Sequence, residues 1–219
     1  MNYFPIVPAV IPKSREDVER YAEWLSFSPE FHLDLVDGKF VSTISWPYEP
    51  HGEAISVKPL LDVYTLEVDL MVMDPLAVAE AWVQAGADML VFHVETISLS
   101  DFGKFADTHD KISVGVSAHG ETSLETLKEY CQVADYIQLM GIREIGAQGL
   151  PFDETVLEKI THLKEQFPDK PITVDGSVNK DTITRLVTAG ADRFVCGSAI
   201  VGQSNPATAH RELSELING

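Results

Sequence analysis

Acidic and imidazole side chains stand inside four segments that otherwise have the apolar character of β-strands. The segments are FHLDLVDG at 31–38, LEVDLMV at 66–72, VFHVET at 91–96 and ITVDGSV at 172–178. A strand sends alternate side chains to one face, so His32 shares a face with Asp34, and Asp69 shares one with Met71. Burying a carboxylate without a partner costs several kcal/mol. Four such strands therefore predict a site that uses these charges, with a metal ion at its centre.

Strands that alternate with amphipathic helices would position these segments. Strand patterns occur at 5–11, 31–36, 66–72, 89–95, 112–117, 136–141, 171–175 and 193–197. Helix patterns occur at 14–25, 57–63, 75–85, 99–107, 123–133, 153–167, 180–189 and 206–217. Ser14, Ser123 and Asp153 suit helix N-caps, while Gly86 and Gly190 suit helix ends. Eight strands alternating with eight helices predict the α/β class, as a single (β/α)8 TIM barrel over residues 1–219.

A doubly wound open sheet uses the same alternation of strands and helices and is the main structural alternative. The polar strand faces favour the barrel, because its strands converge at their carboxyl ends on one mouth. The side chains expected to line that mouth are His32, Asp34, Asp69, His93, Glu95, Ser117, Met140, Asp175 and Gly197.

The composition limits the partners and the location of the protein. Its 219 residues carry a formal net charge of -18, from 34 acidic and 16 basic residues, which argues against a nucleic acid or an anionic membrane as partner. The sequence has no long apolar run and no basic leader, so we expect a cytoplasmic protein. Cys131 and Cys196 have no CxxC spacing, and we expect both to be reduced and buried.

Two glycine and serine pairs near the carboxyl end of the chain suit an anion. Gly176 and Ser177 follow the seventh predicted strand, and Gly197 and Ser198 follow the eighth. Turns of this kind present backbone N–H groups to a phosphate, and glycine permits a close approach. The alternative to a phosphate site is that these glycine and serine residues only form ordinary turns between strand and helix. An acidic protein must hold an anion by such local groups, so a phosphate site is predicted here.

Five segments in order give the chain a family resemblance that covers nearly its whole length. They are HLDLVDGKFV at 32–41, VDLMV at 68–72, FHVE at 92–95, VDGSVN at 174–179 and CGSAIVG at 196–202. They resemble the HxDxMDGxFVP, HLMV, FHxE, VDGGVN and AGSAIFG segments of the ribulose-phosphate 3-epimerase family. The resemblance implies a metal-dependent epimerase acting on a small-molecule sugar phosphate.

The resemblance also implies the catalytic and metal-binding residues. Epimerisation removes a proton from one face of a carbon and returns one to the other face, so it needs two acid/base groups. Asp34 and Asp175 match the two catalytic carboxylates of the family, and His32, Asp34 and Asp175 match three of its four metal ligands. Asp69 stands where the family has a histidine.

The substitution at Asp69 leads to a hypothesis about the metal. Three carboxylates and one imidazole around a divalent cation sum to -1, whereas the family's two and two are neutral. Manganese, magnesium, iron and zinc are all candidates for the one divalent ion. We expect the extra carboxylate to shift the preference from zinc toward harder ions such as manganese or magnesium.

Residues around the substrate are partly retained. The set that the resemblance assigns to substrate or phosphate binding is Met71, Met140, Gly146, Gln148, Gly176, Ser177, Gly197 and Ser198. Ala9 and Val36 stand in place of a serine and a methionine, AHG at 118–120 replaces an asparagine-proline turn, and Glu144 lies where glycine is usual. These differences from the family lie among the residues expected around the substrate.

The remaining polar and aromatic residues receive supporting roles. His93 and Glu95 are interpreted as a pair that orients the metal ligands, with a buried pair that fills the barrel as the alternative. The loop at 42–56, with Trp46, is interpreted as a lid or an oligomer contact. Trp24 and Trp82 are expected to pack against the outside of the barrel.

These observations predict an enzyme, specifically an isomerase that interconverts ribulose 5-phosphate and xylulose 5-phosphate or performs a closely related 3-epimerisation of a ketose phosphate. We also expect a homo-oligomer. Two alternatives stay open. One is a lyase or synthase of the same barrel group that acts on another phosphosugar, and the other is a catalytically silent phosphosugar-binding barrel.

Overall fold

Eight parallel strands close into a barrel in the computed structural model, which describes residues 5–219. The strands are β1 (Ile6–Val10), β2 (Glu30–Val36), β3 (Thr65–Met71), β4 (Met89–His93), β5 (Ser113–Ser117), β6 (Tyr136–Met140), β7 (Ile172–Asp175) and β8 (Arg193–Cys196). Each strand pairs with the next along the chain, and β1 pairs with β8 to complete the circle. The predicted (β/α)8 barrel is confirmed, and the doubly wound alternative is excluded.

Eight α-helices follow the strands in turn. They are α1 (Arg15–Trp24), α2 (Lys58–Leu61), α3 (Pro75–Ala85), α4 (Leu99–Thr108), α5 (Leu124–Cys131), α6 (Thr155–Gln166), α7 (Ile183–Ala189) and α8 (Pro206–Asn218). A 3₁₀ turn at Ala54–Val57 precedes α2. Helix α2 is shorter than the helix predicted at 57–63, because it ends at Leu61. No helix within residues 5–219 is long and apolar enough to cross a membrane.

Four of the five predicted caps lie at helix boundaries. The hydroxyls of Ser14 and Ser123 accept hydrogen bonds from backbone N–H groups in the first turns of α1 and α5. Gly86 and Gly190 end α3 and α7 in the left-handed conformation, with φ of 98° and 109°. The prediction for Asp153 is wrong, because α6 begins two residues later. Glu154 occupies the N-cap position, and the carboxylate of Asp153 accepts a 3.1 Å bond from the N–H of Thr155, the first residue of α6.

The main hydrophobic core lies between the barrel and its helices. Trp82 of α3 is buried there, and Trp46 meets it edge to face, with ring centroids 6.3 Å apart. The segment around Trp46 is therefore anchored in the core and this indole is not part of an open lid. Trp24 was expected to pack against the barrel, but 42% of it is exposed at the end of α1. Cys131 and Cys196 are buried free thiols, as predicted.

The strand register brings the polar residues of the barrel interior into rows. His32 pairs with Glu67 and Asp34 pairs with Asp69 across β2 and β3. On the opposite side Met140 pairs with Asp175 across β6 and β7. Because side chains alternate between the two faces, each of these residues points into the barrel while its sequence neighbours pack against helices. The fold thus gathers charge at the carboxyl end of the barrel.

A close contact between β5 and β6 shows how tightly the lower barrel is filled. A Cβ atom added to Gly115 would lie 2.3 Å from Cζ of Tyr136. The ring cannot move aside freely, because the Tyr136 hydroxyl donates a 2.7 Å hydrogen bond to Glu67. The contact explains why a residue without a side chain is needed in this strand.

Replacing Gly115 by alanine is expected to lower the free energy of unfolding by about 2 kcal/mol, because the added methyl group overpacks the barrel. Urea denaturation of the purified variant measures the effect. Gly103→Ala in α4 is the matched control, since its nearest neighbour atom would lie 4.0 Å away. If the Gly115→Ala protein were as stable as this control, the barrel would accommodate the added methyl group, and the predicted overpacking would be wrong.

Candidate active site and metal centre

Four side chains from three strands meet at the carboxyl end of the barrel. His32 and Asp34 come from β2, Asp69 from β3 and Asp175 from β7. One ligand atom from each lies within 4.8 Å of the others, and three of the four residues are buried. We call these four residues the ligand cluster. The sequence predicted this set, and the fold brings all four members together.

His32 is oriented by Glu67, the residue that pairs with it across β2 and β3. Its Nδ1 donates a 2.6 Å hydrogen bond to Oε2 of Glu67, and its Nε2 lies 3.2 Å from Oδ1 of Asp34. Burial opposes a charged imidazole, but the carboxylates of Glu67 and Asp34 outweigh it and raise the pKa of His32 well above its usual value. Nδ1 keeps its proton on Glu67 while Nε2 faces the ligand cluster, so a cation that displaces the Nε2 proton would be bound as a metal is by an oriented histidine.

A buried ion-pair network supports Glu67 in turn. Nη1 of Arg193 donates a 2.6 Å bond to Oε2 of Glu67, and the Tyr136 hydroxyl donates to Oε1. Arg193 also pairs with Glu30, at 2.8 Å. Burial disfavours the Glu67 carboxylate, but the charges of Arg193 and His32 prevail and lower the pKa of Glu67 far below its usual value. Glu67 is therefore a fixed anion under His32.

Asp69 is fully buried and receives a hydrogen bond on each oxygen. Nε2 of His93 donates to Oδ1 over 2.9 Å, and Nε2 of Gln138 donates to Oδ2 over 2.7 Å. His93 comes from β4 and Gln138 from β6, so two other strands fix this carboxylate of β3. His93 is therefore in contact with Asp69, as its predicted orienting role requires, and the role itself stays a prediction.

Glu95 does not share that role, and its prediction is wrong. Strand β4 ends at His93, and the N–H of Thr96 bonds back to the His93 carbonyl at 3.0 Å. The turn rotates Glu95 out of the barrel, where it is exposed. Its carboxylate accepts a 2.8 Å bond from the His119 N–H and another from the Thr122 hydroxyl. Glu95 thus holds the loop after β5 instead of a metal ligand.

Asp34 and Asp175 face a cavity of about 500 Å³ at the barrel mouth. Burial and the charges of neighbouring carboxylates, including Asp69, raise the pKa of Asp34, although His32 acts in the opposite direction. The pKa of Asp175 lies well above its usual value, because burial and the charge of Asp34 both disfavour its ionised form. His32, Asp69, His93 and Ser117 lie deeper and do not line the cavity.

Apolar side chains form one wall of the cavity. Met71 and Met140 line it and belong to a buried cluster with Val36, Ile142 and Ile145. Val36, at the position where the resemblance implies a methionine, is fully buried in this cluster. These side chains give the cavity an apolar surface on this side.

The glycine and serine turns after β7 and β8 form the other end of the cavity. All eight residues predicted to contact substrate or phosphate line it, namely Met71, Met140, Gly146, Gln148, Gly176, Ser177, Gly197 and Ser198. A Cβ on Gly197 would lie 2.5 Å from Nε2 of Gln148, which donates a 3.2 Å bond to the Ala9 carbonyl. Gln148 therefore reaches across the cavity from the loop after β6, and glycine at 197 makes room for it.

Ser177 has a structural task that the sequence did not indicate. It adopts φ of 51°, a left-handed conformation that is unusual for a residue with a side chain. Its hydroxyl donates a hydrogen bond to the carbonyl of Leu150 in the loop after β6. The predicted use of this hydroxyl for phosphate is thus in competition with a bond within the protein. The bond ties the loop to the turn after β7.

Two substitutions at Ser177 should differ in stability. Ser177→Ala loses the hydrogen bond and keeps the unfavourable backbone, so we expect a loss of about 1 kcal/mol in the free energy of unfolding. Ser177→Gly loses the same bond but relieves a backbone cost of about 1 kcal/mol, so it should stay near the wild type. Chemical denaturation measures both. Equal stability of the two variants would contradict the assigned backbone strain.

The ligand cluster fits a divalent cation by the chemistry of its donors. Within residues 5–219, no lysine or arginine forms an ion pair with Asp34, Asp69 or Asp175, and Arg193 is already shared by two glutamates. Three carboxylates this close are stable together only if protons or a cation neutralise them. One imidazole nitrogen and three carboxylate oxygens make a mixed set that suits manganese, magnesium, iron or zinc.

Comparisons with known proteins find a family model, curated relatives and solved barrels that match the chain. A family model described as "Ribulose-phosphate 3 epimerase family" matches residues 4–201. The chain is 32% identical over 189 residues to ribulose-phosphate 3-epimerase of Bacillus subtilis, with 83% of this chain and 84% of the relative covered. Among solved structures, 3-hexulose-6-phosphate synthase has a TM-score of 0.72 at 22% identity, with 97% of this chain and 99% of that chain covered. KGPDC from Streptococcus mutans in complex with D-R5P has a TM-score of 0.74 at 16% identity, with coverage of 98% and 97%.

Proposed function

The chain belongs to the ribulose-phosphate 3-epimerase family, and from this premise we propose that it is a metal-dependent 3-epimerase of ribulose 5-phosphate and xylulose 5-phosphate. The observation that carries the proposal is the position of Asp34 and Asp175. Both carboxyl groups belong to the ligand cluster and both face the cavity at the barrel mouth. They come from β2 and β7, which are not neighbours in the barrel.

The two carboxyl groups would act as a pair of acid and base. One removes the proton from carbon 3 of the substrate on one face, while the other delivers a proton to the opposite face. Their roles exchange for the reverse reaction. The environment of the cluster favours one protonated member, because close carboxylates do not all ionise together. A divalent cation held by His32, Asp34, Asp69 and Asp175 would stabilise the negative charge on the oxygens of the enediolate.

The apolar wall and the two turns would bind the rest of the sugar phosphate. The turns after β7 and β8 offer backbone N–H groups near Gly176, Gly197 and Ser198 to the phosphate. Met71 and Met140 would cover the reacting carbons and keep water from them. Support for a sugar phosphate comes from the related barrel of Streptococcus mutans KGPDC, a complex with D-R5P.

We further propose that manganese or magnesium is preferred over zinc, because Asp69 adds a third oxygen ligand. Stripping the protein with a chelator should abolish turnover, and added manganese should restore more of it than zinc. Steady-state rates with each metal over a concentration series measure the preference. Full activity with stoichiometric zinc and no response to manganese would contradict it.

Proton exchange with deuterated solvent tests the proposed reaction. The purified protein, loaded with manganese, is incubated with ribulose 5-phosphate in D₂O, and proton NMR follows carbon 3 of the sugar. We expect deuterium at carbon 3 and the appearance of xylulose 5-phosphate. A sample without protein and a chelated sample are the controls.

Two other outcomes would each overturn the epimerase proposal. Binding of the sugar phosphate without any exchange, across all added metals, is the signature of a silent phosphosugar-binding barrel. Exchange or cleavage at another carbon is the signature of a lyase or synthase that works through an enediolate.

A cytoplasmic location and a homo-oligomeric assembly stay predictions, which fractionation and sedimentation measurements would test.

A further inference from the structure

Gln138 is a buried polar residue whose amide makes one strong hydrogen bond, to Asp69, and a weak 3.9 Å contact with Sδ of Met140. It lies on β6 with no exposed surface, and its Nε2 donates to Oδ2 of Asp69 over 2.7 Å. Its Oε1 is buried and has no hydrogen-bond partner in the described part of the chain. The amide must face Asp69 with its nitrogen, since a carboxylate only accepts. The orientation of Gln138 is therefore set by Asp69.

An unpartnered buried carbonyl oxygen costs about 1–3 kcal/mol, so Gln138 is a poor choice for stability alone. A leucine would fill a similar volume with no polar atom to satisfy. A buried polar group that is satisfied on one side only calls for a functional explanation. The bond to Asp69 is the strong interaction of Gln138 that an apolar residue could not supply, since its other donor contact is the 3.9 Å one with Sδ of Met140.

The two donors to Asp69 act on different oxygens. His93 Nε2 bonds Oδ1 and Gln138 Nε2 bonds Oδ2, so rotation of the carboxylate about its Cβ–Cγ bond would break both bonds. Each oxygen keeps a second lone-pair direction for a cation. The two donors also stabilise the negative charge of the Asp69 carboxylate, because charge-assisted hydrogen bonds stabilise an ionised acceptor.

We propose that Gln138 is a positioning residue that, together with His93, holds Asp69 in the orientation that binds the metal ion. The inference rests on the proposed metal site and adds Gln138, which the sequence patterns did not reveal, to the orienting role already expected of His93. Outer partners of this kind fix the orientation of a ligand, and their loss costs about 10-fold to 100-fold in metal affinity. Gln138 thereby lets an aspartate occupy a ligand position in a cluster already rich in carboxylates.

Metal binding without substrate tests this role. Isothermal titration of the chelated protein with manganese chloride should show affinity at least about tenfold weaker in Gln138→Leu than in the wild type. Thr173→Val is the matched control. Thr173 pairs with Gln138 across β6 and β7, is fully buried and has an unpartnered hydroxyl, but has no hydrogen bond to the ligand cluster. We expect its manganese affinity to stay within about twofold of wild type.

A spectroscopic readout separates positioning from general packing. With cobalt chloride in place of manganese, the visible absorption bands report the coordination geometry, and they should change in Gln138→Leu and not in Thr173→Val. Gln138→Met serves as a second variant if the leucine variant does not fold, with the same expected results. Unchanged manganese affinity and an unchanged cobalt spectrum in a folded Gln138 variant would overturn the proposal. Because no turnover is measured, a failure of the epimerase proposal alone would not alter these results.

Discussion

Asp175→Asn is expected to lower kcat by about 10³-fold or more while the barrel stays folded. The amide has the shape of the carboxyl group but cannot carry a proton between substrate and solvent. It is also a weaker metal ligand than a carboxylate. Removing one of three neighbouring carboxylates relieves repulsion, so the melting temperature of the metal-free protein should not fall.

Two measurements separate lost catalysis from lost folding. Proton NMR gives the rate of conversion of ribulose 5-phosphate, and circular dichroism gives the melting temperature. Asp181→Asn is a matched control, because Asp181 is an exposed carboxylate in the turn before α7 and lies outside the ligand cluster. Turnover by Asp175→Asn within tenfold of wild type would refute the assigned role.

Arg193→Met is expected to cost about 3–5 kcal/mol in the free energy of unfolding, since it leaves Glu67 as a buried carboxylate without its main counter-ion. Arg193 contacts Glu67 at 2.6 Å and Glu30 at 2.8 Å, and it is itself buried. For a chain of this length the loss corresponds to a fall of about 10 °C in the melting temperature. We expect the variant to fold only at reduced temperature.

The cause of that loss can be isolated with a second substitution. Glu67→Gln in the Arg193→Met protein removes the stranded charge, so we expect more than half of the lost stability to return in urea denaturation. Arg211→Met is the surface control, because Arg211 forms an exposed pair with Glu215 at 3.6 Å, worth well under about 1 kcal/mol. A loss below about 1 kcal/mol for Arg193→Met would contradict the network.

Alternation along strands predicted the ligand cluster from sequence. His32 and Asp34 differ by two positions, as do Glu67 and Asp69, and each pair does point into the barrel. The same rule failed at Glu95 because it holds only while the chain is extended. Strand β4 ends at His93, and the turn that follows sends Glu95 outward. A strand boundary, read two residues too late, thus accounts for this error.

Gln138 and Arg193 could not be assigned from local pattern. Each is one polar residue in a short apolar strand, a pattern that also suits a strand edge in contact with solvent. Their partners lie 69 and 126 residues away, at Asp69 and Glu67, and only closure of the barrel brings them together. The available signal for Gln138 is its spacing of two residues from Met140, which places both side chains on the inward face of β6. Hydrogen-bond partners of this range follow from the register of the whole sheet.

The position of a bound cation tests the central claim most directly. Crystals of the protein grown with manganese would be measured at the manganese absorption edge, and an anomalous difference map would locate the ion. We predict a single strong peak at the barrel mouth, in contact with His32, Asp34, Asp69 and Asp175. A map with no peak among these four side chains, or with manganese bound elsewhere on the acidic surface, would contradict the proposed metal centre.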